Sequence, residues 1–211
     1  MGTWQDHYQK NKSRLSWPDE NLVRMLTRAL QDGREWKNPA ALDLGCGSGR
    51  HLALLEQFGF PVILGMDNSA GAIEISQDFS AHLFLGDNRS IPLADATCSI
   101  VVAWGSLHYA PKKDFSAMIA EILRVLVPGG LLLATLRSDQ DTYMKKGEHL
   151  GDNVWKTGLK DIEGTIAAFY NEKEVKAYLE DFSSLEYGIA ERSPVGSHHD
   201  IISHWLLYAQ K

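Results

Sequence analysis

Ala41-Leu42-Asp43-Leu44-Gly45-Cys46-Gly47-Ser48-Gly49-Arg50 is the stretch on which the fold turns. An apolar run carrying one acid enters a turn with glycine at every second position, and an amphipathic segment follows at once. Glycines there allow dihedrals that a Cβ forbids and let the backbone approach a ligand closely. The start of the helix beyond offers unpaired N–H groups and a positive field. We read a strand over 40–44 and a helix over 50–58, stopped at Gly59.

The same alternation continues downstream. Strands are expected at 62–66, 82–85, 99–104 and 131–136, and helices at 70–79 and 114–126, with Pro128-Gly129-Gly130 as a sharp turn into the last of these strands. Strand runs that are apolar without strict alternation suit a sheet covered on both faces. Strand–helix repetition at this spacing means βαβ units, hence an α/β, doubly wound parallel sheet. Upstream, Leu22, Val23, Met25, Leu26, Ala29 and Leu30 share one apolar helical face behind the capping signal Ser16-Trp17-Pro18-Asp19. Residues 1–38 form an N-terminal helical arm and 39–137 the ligand-binding core of a single domain. The polar, glycine-dotted stretch 138–171 reads as an insertion or lid, and 172–211 as a last helix and two strands at 185–191 and 204–210.

The chain has 211 residues, 21 Lys+Arg against 27 Asp+Glu, a formal charge of -6 and a pI near 5.7. That balance weighs against a dedicated nucleic-acid binder, whose affinity comes largely from a basic footprint. Residues 1–38 alone carry seven basic against five acidic side chains, a local excess of +2. Cys46 and Cys98 are too few for a thiolate zinc site, and neither suggests a disulfide. His198, His199, Asp200 and His204 read as a solvated loop, so no metal is expected. No apolar segment suits a signal peptide or a membrane span, and the expectation is a cytoplasmic protein.

Spacing separates the nucleotide-binding candidates. A dinucleotide fingerprint needs a third glycine where Arg50 stands, and no Gly-Lys-Ser/Thr ending of a P-loop is present. An acid, Asp67, closes the next strand in Gly65-Met66-Asp67-Asn68, where a carboxylate can accept two ribose hydroxyls. Further on come Gly86-Asp87-Asn88, Ile91-Pro92-Leu93, Leu107-His108-Tyr109 and the run Glu121-Ile122-Leu123-Arg124-Val125-Leu126-Val127-Pro128-Gly129-Gly130. In these motifs, from residue 40 to about 136, the chain resembles the class I S-adenosylmethionine-dependent methyltransferases, specifically the small type 11 group. One departure is Cys98-Ser99, where the family commonly opens its fourth strand with an aromatic–Asp pair.

The resemblance implies a Rossmann-like, mostly parallel sheet with helices on both faces and an antiparallel C-terminal strand. It implies S-adenosylmethionine as cofactor and S-adenosylhomocysteine as product. Asp43 would organise the turn or meet the methionine amino group, with Gly45, Cys46 and Gly47 beside the cofactor. Asp67 would hold the ribose hydroxyls and Asn68 flank the adenine. Asp87 would accept from the adenine amino group, Asn88 would face a ring nitrogen, and Ala103 and Trp104 would face the methionine portion. Asp67 has a second reading as a helix cap, and Asp87 as an ordinary Asx-turn. Tyr8 and Arg14, in a basic aromatic stretch with Trp4, either close over the cofactor or pack the arm on the sheet. His108 is the one acid–base candidate, acting on the acceptor or packing beneath the cofactor.

The expected activity is methyl transfer to a small-molecule acceptor by in-line displacement, with no nucleic acid or membrane partner, in a monomer or homodimer. A non-catalytic S-adenosylmethionine-binding module, acting as sensor or subunit partner, is the alternative; an aromatic-lined insertion and His108 weigh against it.

Overall fold

The computed structural model describes residues 3–8, 15–31 and 39–211. Two helices open it, α1 (Thr3–Tyr8) and α2 (Glu20–Gln31). The core then alternates β1 (Ala40–Leu44), α3 (Arg50–Gln57), β2 (Val62–Asp67), α4 (Ala70–Ser76), β3 (His82–Leu85), β4 (Cys98–Ala103), α5 (Phe115–Val125) and β5 (Leu126–Arg137). Beyond it lie β6 (Gly147–Gly151), β7 (Val154–Thr157), β8 (Ile166–Ala168), α6 (Glu172–Tyr178), β9 (Ser184–Arg192) and β10 (Ile202–Gln210).

Seven strands form one sheet in the order β3-β2-β1-β4-β5-β10-β9. Neighbours from β3 to β5 run parallel, and β10 is antiparallel to both β5 and β9. The expected doubly wound architecture is therefore present, with one reversed strand near its C-terminal edge. Why the strands read as unbroken apolar runs is visible in the core. Leu42 and Leu44 join the cluster around α5 and α6, while Ala41 joins the cluster under α2 and α3. Likewise Leu132, Ala134 and Leu136 face one layer, and Leu131 and Leu133 the other. Each strand must be apolar on both faces to be covered twice.

Local chemistry sets the boundaries. Asp19, not Ser16, caps α2: its Oδ1 accepts the Asn21 N–H at 2.9 Å. Ser69 caps α4 by accepting from Ala72 N, and Asn171 with Glu174 makes a capping box at α6. The expected Pro128-Gly129-Gly130 turn is absorbed into β5 as an irregularity in its pairing with β4, Gly129 taking φ +78°.

The 138–171 stretch carries a second, three-stranded antiparallel sheet, β6-β7-β8. Tyr143, Trp155, Leu159 and Ile162 pack on buried Met144, Ala167 and Phe169, together with Tyr109 from the core. Tyr170 belongs instead to the main core.

Candidate active site

The glycine-rich turn bends because Gly45, Gly47 and Gly49 all take positive φ, at 82°, 55° and 84°. Gly45 N and Cys46 N both donate to the Met66 carbonyl, at 2.7 and 3.0 Å, which ties the turn to the end of β2. Close packing adds to the dihedral requirement: a Cβ on Gly45 would stand 2.3 Å from Ser106 Cβ, whereas one on Gly59 (φ +77°) would meet open space. Gly45→Ala is expected to cost at least 3 kcal/mol, roughly, and Gly59→Ala about 1 kcal/mol, since only the first adds a clash to left-handed strain. Urea unfolding of the two variants checks the difference. Equal midpoints would mean that Ser106 yields freely.

At the carboxyl edge of β1, β2 and β4 lies a cleft of about 380 Å³. Gly45, Asp67, Asn68, Asp87, Asn88 and Tyr8 line it, as do Trp4, Gly105, Ser106 and Tyr109. Asp67 is held in place by its own neighbours. Its Oδ2 accepts Gly47 N at 3.0 Å and its Oδ1 accepts Ser69 N at 2.9 Å, so the helix cap falls to Ser69 and Asp67 points its free lone pairs into the cleft. Burial raises its pKa, and these backbone donors oppose the shift. Asp87 also faces the cleft, but its carboxylate is engaged by Arg89, through the backbone N–H at 2.8 Å and the guanidinium at 2.6 Å. That is the Asx-turn alternative realised, and Arg89 holds the Asp87 pKa below the usual range. Arg89 reaches on to Asp114 at 3.2 Å.

Asp43 stands behind the turn. It is fully buried in β1, and neither carboxyl oxygen has a hydrogen-bond partner. His51 Nδ1 is 4.0 Å away. Burial first, then the Asp67 charge, pushes Asp43 up to about 7, and burial takes His51 down to about 3. Two carboxyl groups thus flank one glycine turn, and burial beside Asp67 disfavours the ionised form of Asp43, an effect that the Arg50 charge partly offsets.

Several expected positions fall elsewhere. Ala103 and Trp104 are buried in opposite core layers, because successive residues of β4 point to opposite faces; Gly105 and Ser106, one and two residues past Trp104, line the cleft instead. Cys46 and Gly47 sit under the surface, with the Tyr8 hydroxyl drawn across Gly47. Burial raises the pKa values of the Cys46 thiol and the Tyr8 phenol. Arg14 lies outside the described residues.

His108 does not reach the cleft. It is fully buried on the short turn Leu107–Tyr109, with neither ring nitrogen in an ordinary hydrogen bond, and its ring stands 4.4 Å from that of Tyr109 and 5.8 Å from that of His204. Burial and the Arg137 charge hold its pKa well below the usual imidazole value. A turn with three residues per revolution sends neighbours 120° apart. Leu107 and His108 face inward and Tyr109 outward, so Tyr109 is the residue that sequence reasoning missed. No group of three or more potential metal ligands is found among the described residues.

The N-terminal helix covers the cleft. Gln5 Oε1 accepts from Gly71 N at 2.8 Å at the start of α4, Trp4 meets the Tyr109 ring edge-on at 4.8 Å, and His7 Nδ1 lies 3.3 Å from the Asp161 carbonyl in the insertion.

Residues 41–130 match the family described as "Methyltransferase domain". Among curated relatives, tRNA (carboxymethyluridine(34)-5-O)-methyltransferase ALKBH8 of Macaca fascicularis is 26% identical over 147 residues, 69% of this chain and 20% of that protein. Malonyl-[acyl-carrier protein] O-methyltransferase of Serratia marcescens is 33% identical over 113 residues, 50% of this chain and 41% of that protein. The chain thus spans well under half the length of these relatives. A solved S-adenosylmethionine-dependent methyltransferase from Methanosarcina mazei superimposes with a TM-score of 0.70 at 20% identity, over 86% of this chain and 96% of the other. The tRNA methyltransferases among these relatives overturn the expectation of no nucleic-acid partner. Net charge misled because -6 summed over a whole chain does not report the surface that meets a substrate. No helix among the described residues is long and apolar enough to cross a membrane.

Proposed function

We propose, on the premise that residues 41–130 are a methyltransferase domain of the class I S-adenosylmethionine-dependent kind, that this chain methylates a carboxylate oxygen. The observation that carries the cofactor half is the pair of acids around the glycine turn: Asp67 with lone pairs open to the cleft, and Asp43 buried with no partner. Asp67 suits a ribose diol, and Asp43 suits the amino group of the methionine portion, whose positive charge would ionise it. The glycine turn between them packs against Ser106 and Tyr8, both of which also line the cleft. S-adenosylmethionine, when bound, supplies a methyl group already activated on a sulfonium.

The acceptor half rests on the relatives. Two otherwise different acceptors, a carboxymethyl group on a tRNA uridine and a malonyl thioester, both end in a carboxyl and both are methylated at oxygen. A carboxylate is a nucleophile without losing a proton, so the chain needs no base at the acceptor. This agrees with a cleft that no histidine among the described residues lines. What remains for the protein is alignment and exclusion of water, work for Trp4, Tyr8, Ser106 and Tyr109. We take the carboxymethyl group of a tRNA uridine as the acceptor, because that relative aligns with the larger share of this chain.

The test is transfer of a labelled methyl group to an anticodon stem-loop bearing 5-carboxymethyluridine, with malonyl-pantetheine as the second arm. Label released as methanol by mild alkali marks an ester and supports the reading. Transfer to malonyl-pantetheine alone moves the acceptor to the free carboxylate of a malonyl thioester. Alkali-stable label, or none from a protein that binds the cofactor, removes the carboxylate.

A further inference from the structure

Arg137 ends β5 as a buried guanidinium, an expensive group to place beside a core. Its Nη1 donates to Asp141 Oδ2 at 2.5 Å, and Asp141 is itself fixed by Met144 N on one oxygen and Ser203 N on the other. The Nε of Arg137 is buried with no partner. The Tyr109 side chain lies within reach of the guanidinium, and the His108 and His204 rings feel its charge. Tyr109 belongs to three places at once: it lines the cleft, it meets Trp4 of α1, and it packs on the small core of the insertion. Its phenol therefore has the cleft on one side and a buried cation on the other.

Charge in the rest of the cleft is already committed. Arg89 is the one cation lining it among the described residues, and it is bound to Asp87 and Asp114. Lys112 is buried against Glu174. Among the described residues that line the Ser106–Tyr109 end, Tyr109 is the one with a buried cation behind it.

We propose that Tyr109 and Arg137 form the acceptor subsite: the Tyr109 hydroxyl donates to a carboxylate oxygen of the acceptor, and Arg137 positions that hydroxyl and supplies the charge that selects an anion over a neutral group. The inference rests on the carboxylate reading above and names residues for it. Tyr109 is the group in contact, and Arg137 acts through it. A hydrogen bond to a charged group discriminates by about tenfold or more against a neutral acceptor.

The test compares binding of two anticodon stem-loops, one with 5-carboxymethyluridine and one with its uncharged 5-carbamoylmethyl analogue, to the wild-type chain, Tyr109→Phe and Arg137→Lys, all saturated with S-adenosylhomocysteine. The wild type should prefer the acid at least tenfold, roughly, on the strength of one charge-assisted hydrogen bond. Tyr109→Phe, which keeps the ring on Trp4, should bring that ratio near one while S-adenosylhomocysteine affinity stays within about twofold, because the cofactor's acids are untouched. Arg137→Lys should lower the ratio less. A ratio unchanged in folded Tyr109→Phe overturns the inference, whether or not the lysine variant folds. A wild-type chain that binds S-adenosylhomocysteine but shows no preference for the acid, and methylates neither the stem-loop nor malonyl-pantetheine, removes the carboxylate reading and the subsite with it. Methylation of an acid with the ratio intact in both variants leaves that reading standing and sinks only the subsite.

Discussion

Asp67→Ala is expected to weaken S-adenosylhomocysteine binding by roughly 100- to 1,000-fold. Two hydrogen bonds from a ribose diol to a charged acceptor are worth together about 3–4 kcal/mol, and each 1.4 kcal/mol is a factor of ten. Alanine also releases Gly47 N and Ser69 N from their acceptor, so the turn loosens as the ligand contacts vanish. Asp67→Asn retains the shape and one acceptor oxygen, and belongs between the wild type and alanine. Calorimetric titration of the three proteins orders them. An alanine variant within threefold of wild type would reduce Asp67 to a brace for the turn.

Asp43→Asn should act in two directions: it stabilises the empty protein at alkaline pH and weakens the cofactor. In the folded chain the Asp43 carboxyl titrates near 7, against an ordinary 3.8. Its folded pKa is raised, so the folded state holds its proton more tightly than the unfolded chain does. Stability from this group is therefore greatest below about pH 4, declines as pH rises through the window up to 7, and stays low above it. Asparagine carries no such dependence. A shift of this size sets a ceiling of about 4 kcal/mol, and relaxation around a buried carboxylate reduces it to the order of 2 kcal/mol. For a chain of this length that is a rise of roughly 4–8 °C in melting temperature at pH 8, shrinking toward zero near pH 4. Cofactor affinity should fall by at least tenfold, about one charge-assisted contact. Binding to the wild type near pH 6 should release a proton, which appears as heat that depends on the buffer. An asparagine variant that melts lower at pH 8 and binds the cofactor unchanged would refute both halves.

The strands and helices from 40 to 136 were legible because each buried strand had to be apolar on both faces and each turn needed its own glycine or cap. The second sheet was not. β6 is wholly exposed, so Gly147–Gly151 shows no apolar alternation, and β8 is only three residues long. A signal was present all the same: Asp152 and Asn153 both take positive φ, at 47° and 52°, the chemistry of a tight hairpin turn, between Gly151 and Val154. In the site, Asp67 could be read from its place at a strand end. Ala103 and Trp104 could not, since choosing the first residue past a buried strand requires its face to be known. His108 reads as an acid–base candidate from its residue type and its place after a strand, but the turn that carries it buries its ring and leaves Tyr109 to line the cleft. Arg137 had a sequence signal too, a lone cation closing the apolar run Leu131-Leu132-Leu133-Ala134-Thr135-Leu136.

Helix α1 has only six residues, too few to hold its own shape in water. Its order is on loan from Gly71, Tyr109 and Asp161, which belong to two separate parts of the chain. Whatever lies beneath it and the helix above therefore share one equilibrium. A molecule that tightens the cleft must steady α1 by the same free energy with which α1 retains that molecule. Ligand affinity and helix order are then two readings of one coupling, accessible from either side by titration or by amide exchange.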